Sequence, residues 1–256
     1  MQKVYFIGAG PGDPELITIK GRRLLNEADV VVYTGSLVNL RLLDGLKAKT
    51  YDSSSLTLDE TTQILVDAIR SGLMAVRLHT GDTSLYSAIT EQIERLRAHQ
   101  IDYEVVPGVS SAMAGAAVLG QELTIPEVSQ TVIFTRLEGR TPVPDRESLS
   151  SLAKHNCTMV IFLSVAMIER VCEELLEGGY NHETEVVVIE RATWPEQRIV
   201  RGTVSTIAKI VKDQGIKKTA LIYVGDALKA SRVAMDKHSR LYDPDFSHGF
   251  RDASKI

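Results

Sequence analysis

The chain has 256 residues, room for one large or two medium α/β domains, and its 44% hydrophobic and 24% charged content is that of an ordinary globular protein with a sizeable core. A net charge of −4 disfavours nucleic acid as a partner, although a local arginine cluster can still hold an acidic small molecule, and no apolar run approaches the ~18 residues that a membrane span needs. The opening MQKVYFIGAG has no secretion-signal pattern and no CxxC is present, so Cys157 and Cys172 read as reduced packing residues rather than a disulfide or metal pair, and the chain as cytoplasmic.

In chain order, KVYFIGAG is a short apolar run ending in glycines and predicts a buried first strand. Pro14 to Glu27 carries Leu16, Ile17, Leu24 and Leu25 at helical spacing, with Asp13 as N-cap and Pro14 at the first helical position. DVVVYTG predicts a second strand, Asp59 to Ser71 a helix with Ile64, Leu65, Ala68 and Ile69 on one face, and MAVRLHTGD a third strand ending in a loop. SAITEQIERLRAHQ reads as a helix, DYEVVPGVS as a strand and turn, and SAMAGAAVLG as a helix of small residues. This alternation predicts parallel βαβ units and a first α/β lobe over residues 1–120. A second lobe, 121–230, is predicted to hold strands in TVIFTR, TMVIFLS, EVVVIERA, RIVRGTV and ALIYVG, with helices from Ser148 to His155 and from Ala166 to Gly178. A hairpin turning at WPEQ makes its sheet mixed. From residue 231 to 256 the periodicity fades, which predicts a surface-draped or disordered polar tail.

The loop after the first strand, GAGPGDP, looks like a nucleotide loop and fails as one. A dinucleotide fingerprint needs G-x-G-x-x-G and an acid at the end of the second strand. Here Gly8, Gly10 and Gly12 are spaced G-x-G-x-G, Asp13 takes the third fingerprint position, and Asp29 precedes the second strand. A capping carboxylate would occupy the helix donors that grip a pyrophosphate and would repel it. The loop is therefore either a tight, well-capped turn or a backbone approach to a ligand that is not a diphosphate. HTGDTSLYSA, at the end of the third strand, puts Asp82 where open α/β sheets bind ligands, or where it would cap the next helix; His79 reads as a packed strand histidine. VVPGVSSAMAGAA adds a third loop, in which Ser110 or Ser111 can cap and alanines permit close approach of a helix or a flat ligand.

Taken in order and spacing, GAGPGDPELITIKG, HTGDTSLYSA, VVPGVSSAMAGAA, ERATWPEQRIVRGT and TALIYVG resemble the tetrapyrrole methylase family, over roughly Val4 to Gly225. Within it, TGSLVN, DSSSLTLDE and PEVSQTVIFTRLEGRTPVP are similar to the branch that methylates precorrin-4 at C11 in cobalamin synthesis. The resemblance implies S-adenosylmethionine as cofactor, lying in a cleft between the two lobes, and a homodimer. It implies cofactor contacts from Pro11, Gly81, Asp82, Thr83, Ser110 and Ser111, and from Leu163, Ala192 and Ala220. A cationic sulfonium without phosphate suits a loop carrying Asp13 and backed by Asp82. Two departures stand out. The family reads GDP and then YG in the second loop, whereas this chain has Thr83 and Ser87, which removes a proline that would preset the loop and a glycine that would permit a special dihedral.

The implied reaction is attack of an electron-rich ring carbon on the cofactor's methyl group. The protein chiefly positions the reactants, and no Ser-His-Asp or Cys-His set and no metal site is evident. Asp82, Tyr86 and Glu138 are candidates for catalytic polar roles. Arg136 and Arg140 are candidates for binding the substrate's acetates and propionates, either pairing with carboxylates or lying as solvated charge, and Glu127 is a candidate for a polar role beside the substrate. Trp194 is either a cleft wall or a core residue. The alternatives that remain are another corrin-pathway methylase acting at a different ring carbon and a cofactor-binding protein without catalysis.

Overall fold

The computed structural model describes residues 3–229 and 239–253. The described residues fall into two compact units, one drawn from Met1–Gly115 with Arg191–Gln197, the other from Ala116–Glu190 with Arg198–Ile256.

The first unit is built on five strands, β1 (Val4–Gly8), β2 (Val30–Tyr33), β3 (Lys49–Asp52), β4 (Ala75–His79) and β5 (Tyr103–Val106), in the order β3-β2-β4-β1-β5 and all parallel. Side chains alternate between two apolar layers, as the period of a strand requires. Ile7, Val31, Val76 and Leu78 pack with Leu24 and Leu25 of helix α1 (Ile19–Glu27). Val4, Phe6, Val30, Val32 and Ala75 pack with Leu65 and Val66 of α2 (Leu58–Arg70) and Leu96 of α3 (Ile89–Ala98). Strand β4 is buried throughout, and β1 lies between β4 and β5, so the loops leaving the carboxyl ends of these three strands are neighbours. The connection after β5 leads into α4 (Ser111–Val118).

Two elements of this unit depart from the sequence reading. Asp13 caps only a single 3-10 turn, Pro14–Leu16, through a 2.9 Å bond from the Glu15 N–H; the α-helix starts later, capped by Thr18 accepting from the Gly21 N–H at 3.1 Å. Strand β3, KTYD, was not expected: it is a polar sheet edge with no apolar run to mark it.

The second unit carries β6 (Val132–Arg136), β7 (Thr158–Phe162), β8 (Glu185–Glu190), β9 (Arg198–Thr203) and β10 (Ala220–Val224) in the order β6-β7-β10-β8-β9. Only β6 and β7 are parallel, so the sheet is mixed as expected. Its core packs Met159, Ile161, Val186 and Ile222 against α5 (Leu149–Ala153), α6 (Ile168–Glu177) and α7 (Ile207–Asp213) through Leu149, Val171, Leu175, Ile207 and Val211. Helix α7 was also not foreseen. Of the tail, 239–253 forms a short turn, Arg240–Tyr242, and an Arg251 side chain that donates to the carbonyls of Leu241, Asp243 and Phe246; the rest of 231–256 lies outside the described residues. No helix among the described residues is long and apolar enough to cross a membrane.

Candidate active site

Three loops meet at the carboxyl ends of β1, β4 and β5. The first and second are joined as a short antiparallel bridge, Gly10 N–H to Gly81 O at 3.1 Å and Gly81 N–H to Gly10 O at 2.8 Å. The third lies directly against both. A Cβ on Gly8 would stand 2.6 Å from the Gly108 Cα, and one on Gly108 would stand 2.2 Å from the Gly81 carbonyl oxygen, so only glycine permits this approach at either position. A Cβ on Gly81 would meet only ordinary van der Waals contacts with the third loop, the Ser111 nitrogen at 3.7 Å and the Ser110 Cα at 3.9 Å, but Gly81 itself is left-handed at φ 62°. Pro11, Gly81, Asp82, Thr83, Ser110 and Ser111 thus all belong to one loop cluster of the first unit.

Asp82 is the stitch between the second and third loops. Its Oδ2 accepts from the Gly108 N–H and its Oδ1 from the Ser84 N–H, each at 2.8 Å, so it does not cap α3. Burial pushes this carboxyl up, but the hydrogen bonds from Ser84 and Gly108 outweigh it and hold it below the usual carboxylate range. Thr83 is buried, whereas Tyr86 is exposed and left-handed at φ 54°, as is Ala88 at φ 49°. Ser87 is not among the left-handed residues, and its hydroxyl donates to the carbonyls of Asp82 and Leu85 at 3.1 and 3.2 Å. The dihedral expected to need glycine at position 87 falls instead on its two neighbours. His79 is buried, stacks on Phe6 at 6.0 Å, and is held neutral with its pKa lowered to about 3, by burial first and then by Arg77. It is a packed strand histidine.

The first loop is closed from the other side by Arg191–Gln197, the connection between β8 and β9. Trp194 donates from Nε1 to the Pro11 carbonyl at 2.9 Å, and its ring fills the space a Cβ on Gly12 would need, 2.1 Å from Cδ1. The Asp13 N–H donates to Thr193 Oγ1 at 2.9 Å, and Asn39 Nδ2 donates to the Gly12 carbonyl at 2.7 Å. Trp194 is therefore neither a bare wall nor a core residue but a latch on Pro11 and Gly12. Ala192 is buried in the same segment, between Arg191 and Thr193, both left-handed at φ 49° and 68°. Sequence reading missed Asn39, Thr193 and this use of Trp194; the signal was a third glycine with no phosphate to serve and one tryptophan in the whole chain.

In the second unit, Leu163 follows β7 with φ 55° and is 70% exposed, an apolar side chain held outward on a strained backbone. Ala220 opens β10, the strand that pairs antiparallel with β7 through Ile222 and Ile161. Arg136 donates to the carbonyls of Leu137, Thr141 and Pro142 at 3.4, 3.1 and 2.8 Å, bracing the loop that carries the exposed Glu138 and Arg140. Glu127 is exposed and left-handed at φ 60°, in the turn closed by the Ile125–Ser129 bridge. Among the described residues no group of three or more His, Cys, Asp or Glu is placed to hold a metal ion.

Residues 3–208 match the model of the tetrapyrrole (corrin/porphyrin) methylases. The chain is 54% identical to the cobalt-precorrin-4 C(11)-methyltransferase of Methanocaldococcus jannaschii, over 99% of this chain and 98% of the other. It is 48% identical to the precorrin-4 C(11)-methyltransferase of Pseudomonas aeruginosa, over 97% and 98%. Its fold is similar to the crystal structure of a cobalt precorrin-4 methyltransferase, a cobalamin biosynthetic enzyme, with a TM-score of 0.86 and 47% identity over 88% of this chain and 95% of that one. A uroporphyrin-III C-methyltransferase from Thermus thermophilus, solved with S-adenosyl homocysteine, gives 0.76 and 30% over 89% and 99%.

Proposed function

The chain belongs to the tetrapyrrole (corrin/porphyrin) methylase family, and from that premise we infer that it is an S-adenosylmethionine-dependent methyltransferase of cobalamin biosynthesis, acting on C11 of precorrin-4 or cobalt-precorrin-4. The observation that carries this reading is the backbone cradle at Gly8, Gly10, Gly81 and Gly108, where three loops approach backbone to backbone and Asp82 holds the second to the third. The cradle fits that cofactor and not a dinucleotide. Asp13 spends its carboxylate on the Glu15 N–H of the 3-10 turn and Thr18 caps α1, so neither helix start is left bare for a diphosphate, while the negative charge of Asp82 complements a sulfonium.

When bound, S-adenosylmethionine supplies a methyl group on a positively charged sulfur, already a strong electrophile. The residues proposed to hold it are Pro11, Gly81, Asp82, Thr83, Ser110, Ser111 and Ala192 of the first unit, with Leu163 and Ala220 of the second. Their work is orientation, a contribution of about 7–11 kcal/mol to lowering a barrier when two reactants are held in line. The methylated carbon becomes quaternary and has no proton to lose, so a base would act on a pyrrole nitrogen. Asp82, Tyr86 and Glu138 are proposed for polar roles at that stage. Arg140 is proposed to meet the acidic periphery of the macrocycle, and Glu127 to make a polar contact with the substrate away from its carboxylates. Arg136, with Nε–H and one Nη2–H still to offer beyond its three carbonyl bonds, would join Arg140. Cytoplasmic location and a homodimeric assembly belong to the same proposal; the raised pKa of both buried thiols, chiefly from burial, suits cysteines that stay reduced.

Calorimetric titration with S-adenosylhomocysteine tests the reading first, with one ligand bound per chain expected. Incubation with S-adenosylmethionine and either precorrin-4 or its cobalt complex, with the new methyl located by NMR, then tests the position. Methylation at another ring carbon would favour a different corrin methylase, and binding without transfer would favour a non-catalytic role.

A further inference from the structure

Arg77, in the middle of β4, is 6% exposed, and no carboxylate pairs with it among the described residues. A buried cation without a counter-ion is costly, and apolar side chains would serve a sheet core better. Its guanidinium is instead directed by two bonds: Nη1 donates to the Val32 carbonyl at 3.2 Å, and Nε donates to Gln92 Oε1 at 2.9 Å. Arginine can only donate, so the Gln92 amide has one orientation, with Nε2 turned away from Arg77. That Nε2 donates to the Ala88 carbonyl at 3.0 Å. Gln92, like Arg77, is 6% exposed, so water does not compete for either bond.

Ala88 is where such a tether is needed. It stands at the N-terminus of α3 with φ 49° and no capping side chain, two residues after Tyr86 at φ 54°. Neither residue favours the left-handed region, and such strain persists only when the surroundings over-determine it. Ser87 ties the middle of the loop to Asp82 and Leu85, but nothing in the loop itself holds Ala88.

We propose that Arg77 and Gln92 are positioning residues: the buried pair fixes the left-handed turn at Ala88 and so presents Tyr86 to the methyl acceptor. The role of Tyr86 rests on the function proposed above; the tether itself does not. Charge on Arg77 polarises the Gln92 amide, which strengthens the bond on its far side.

The substitution Gln92→Glu separates this role from simple support of the fold. A carboxylate keeps the acceptor for Arg77 and gains an ion pair, but it turns an oxygen toward the Ala88 carbonyl in place of a donor. The expected result is a melting temperature at or above that of the parent, amide hydrogen exchange over Ser84–Ile89 faster by about tenfold or more, and kcat for methyl transfer lower by about tenfold. Affinity for S-adenosylhomocysteine should be little changed. Adding Ala88→Gly, which makes the left-handed turn free of strain, should restore both exchange and kcat. Unchanged exchange in Q92E, failure of A88G to rescue it, or loss of the folded state by Q92E would each overturn the proposal. If the parent binds the cofactor product yet transfers no methyl group while the exchange results come out as expected, the tether stands and the proposed reaction falls.

Discussion

A side chain at position 12 would have to share space with the Trp194 indole, and the consequence can be measured. The Cβ of alanine would lie 2.1 Å from Cδ1 and 2.4 Å from Nε1, against the rigid part of a ring that is itself bonded to the Pro11 carbonyl. Gly12→Ala should therefore expel Trp194, release Pro11, and weaken S-adenosylhomocysteine binding by about tenfold, the loss of one well-made hydrogen bond and its packing. Because the chain has a single tryptophan, its emission should shift to the red in the same variant. Unaltered emission would mean the latch is not where the structure puts it. Asp82 gives a second test at this scale. Its folded pKa is depressed, so its stitch to Gly108 is fully formed above the ordinary carboxylate pKa, about 3.9, and is lost only as pH falls through the lower folded value. Binding of S-adenosylhomocysteine should be flat from neutrality to about pH 4 and decline below it. Asp82→Asn should flatten that decline at a lower overall affinity, because the charge that titrates has gone.

At the scale of elements, Thr18 and Asp13 show how far a sequence can be read. Asp13-Pro14 has every mark of a helix start, and it does start a helical turn, but one of only three residues; the next cap, Thr18, begins the real helix. Thr18→Ala should then cost about 1 kcal/mol of stability, as N-cap deletions do, in a chemical-denaturation measurement. If Asp13→Ala costs more, the assignment of caps is wrong. Strands β1, β2, β7, β8 and β10 were legible because both of their faces are buried and their apolar runs are nearly continuous, and β4 despite Arg77 because apolar residues flank it on both sides. Strand β3 was not, because an edge strand with exposed side chains is specified by its neighbour β2 rather than by its own residues. Helix α7 buries only Ile207 and Val211 within seven residues, too short a stretch to establish a period. The site was legible as loops and illegible as contacts. Glycines, Asp82 and the serines marked the three loops that the structure brings together, but the Gly12–Trp194 and Gln92–Ala88 pairings join residues that no local pattern relates.

On the scale of the whole molecule, the question is whether a residue is held for the fold or for the ligand, and Leu163 answers it most cleanly. An apolar side chain that is 70% exposed contributes little to the core, and a left-handed non-glycine residue costs on the order of 1–3 kcal/mol. Both features work against stability, so the ligand-free protein should not miss this side chain. Leu163→Gly removes the strain and returns about 0.5–1 kcal/mol of backbone entropy to the unfolded chain, leaving the ligand-free melting temperature equal to or above that of the parent. Ligand linkage should move the other way. In the parent, S-adenosylhomocysteine at a hundred times its Kd adds about 2.7 kcal/mol, a rise of roughly 5–10 °C for a chain of this size. If Leu163 contacts the cofactor as proposed, the variant binds about tenfold more weakly and forfeits about 1.4 kcal/mol of that gain, so roughly half of the rise disappears at the same ligand concentration. A variant that melts lower without ligand would assign Leu163 to the fold. One that keeps the full rise would remove it from the cofactor site.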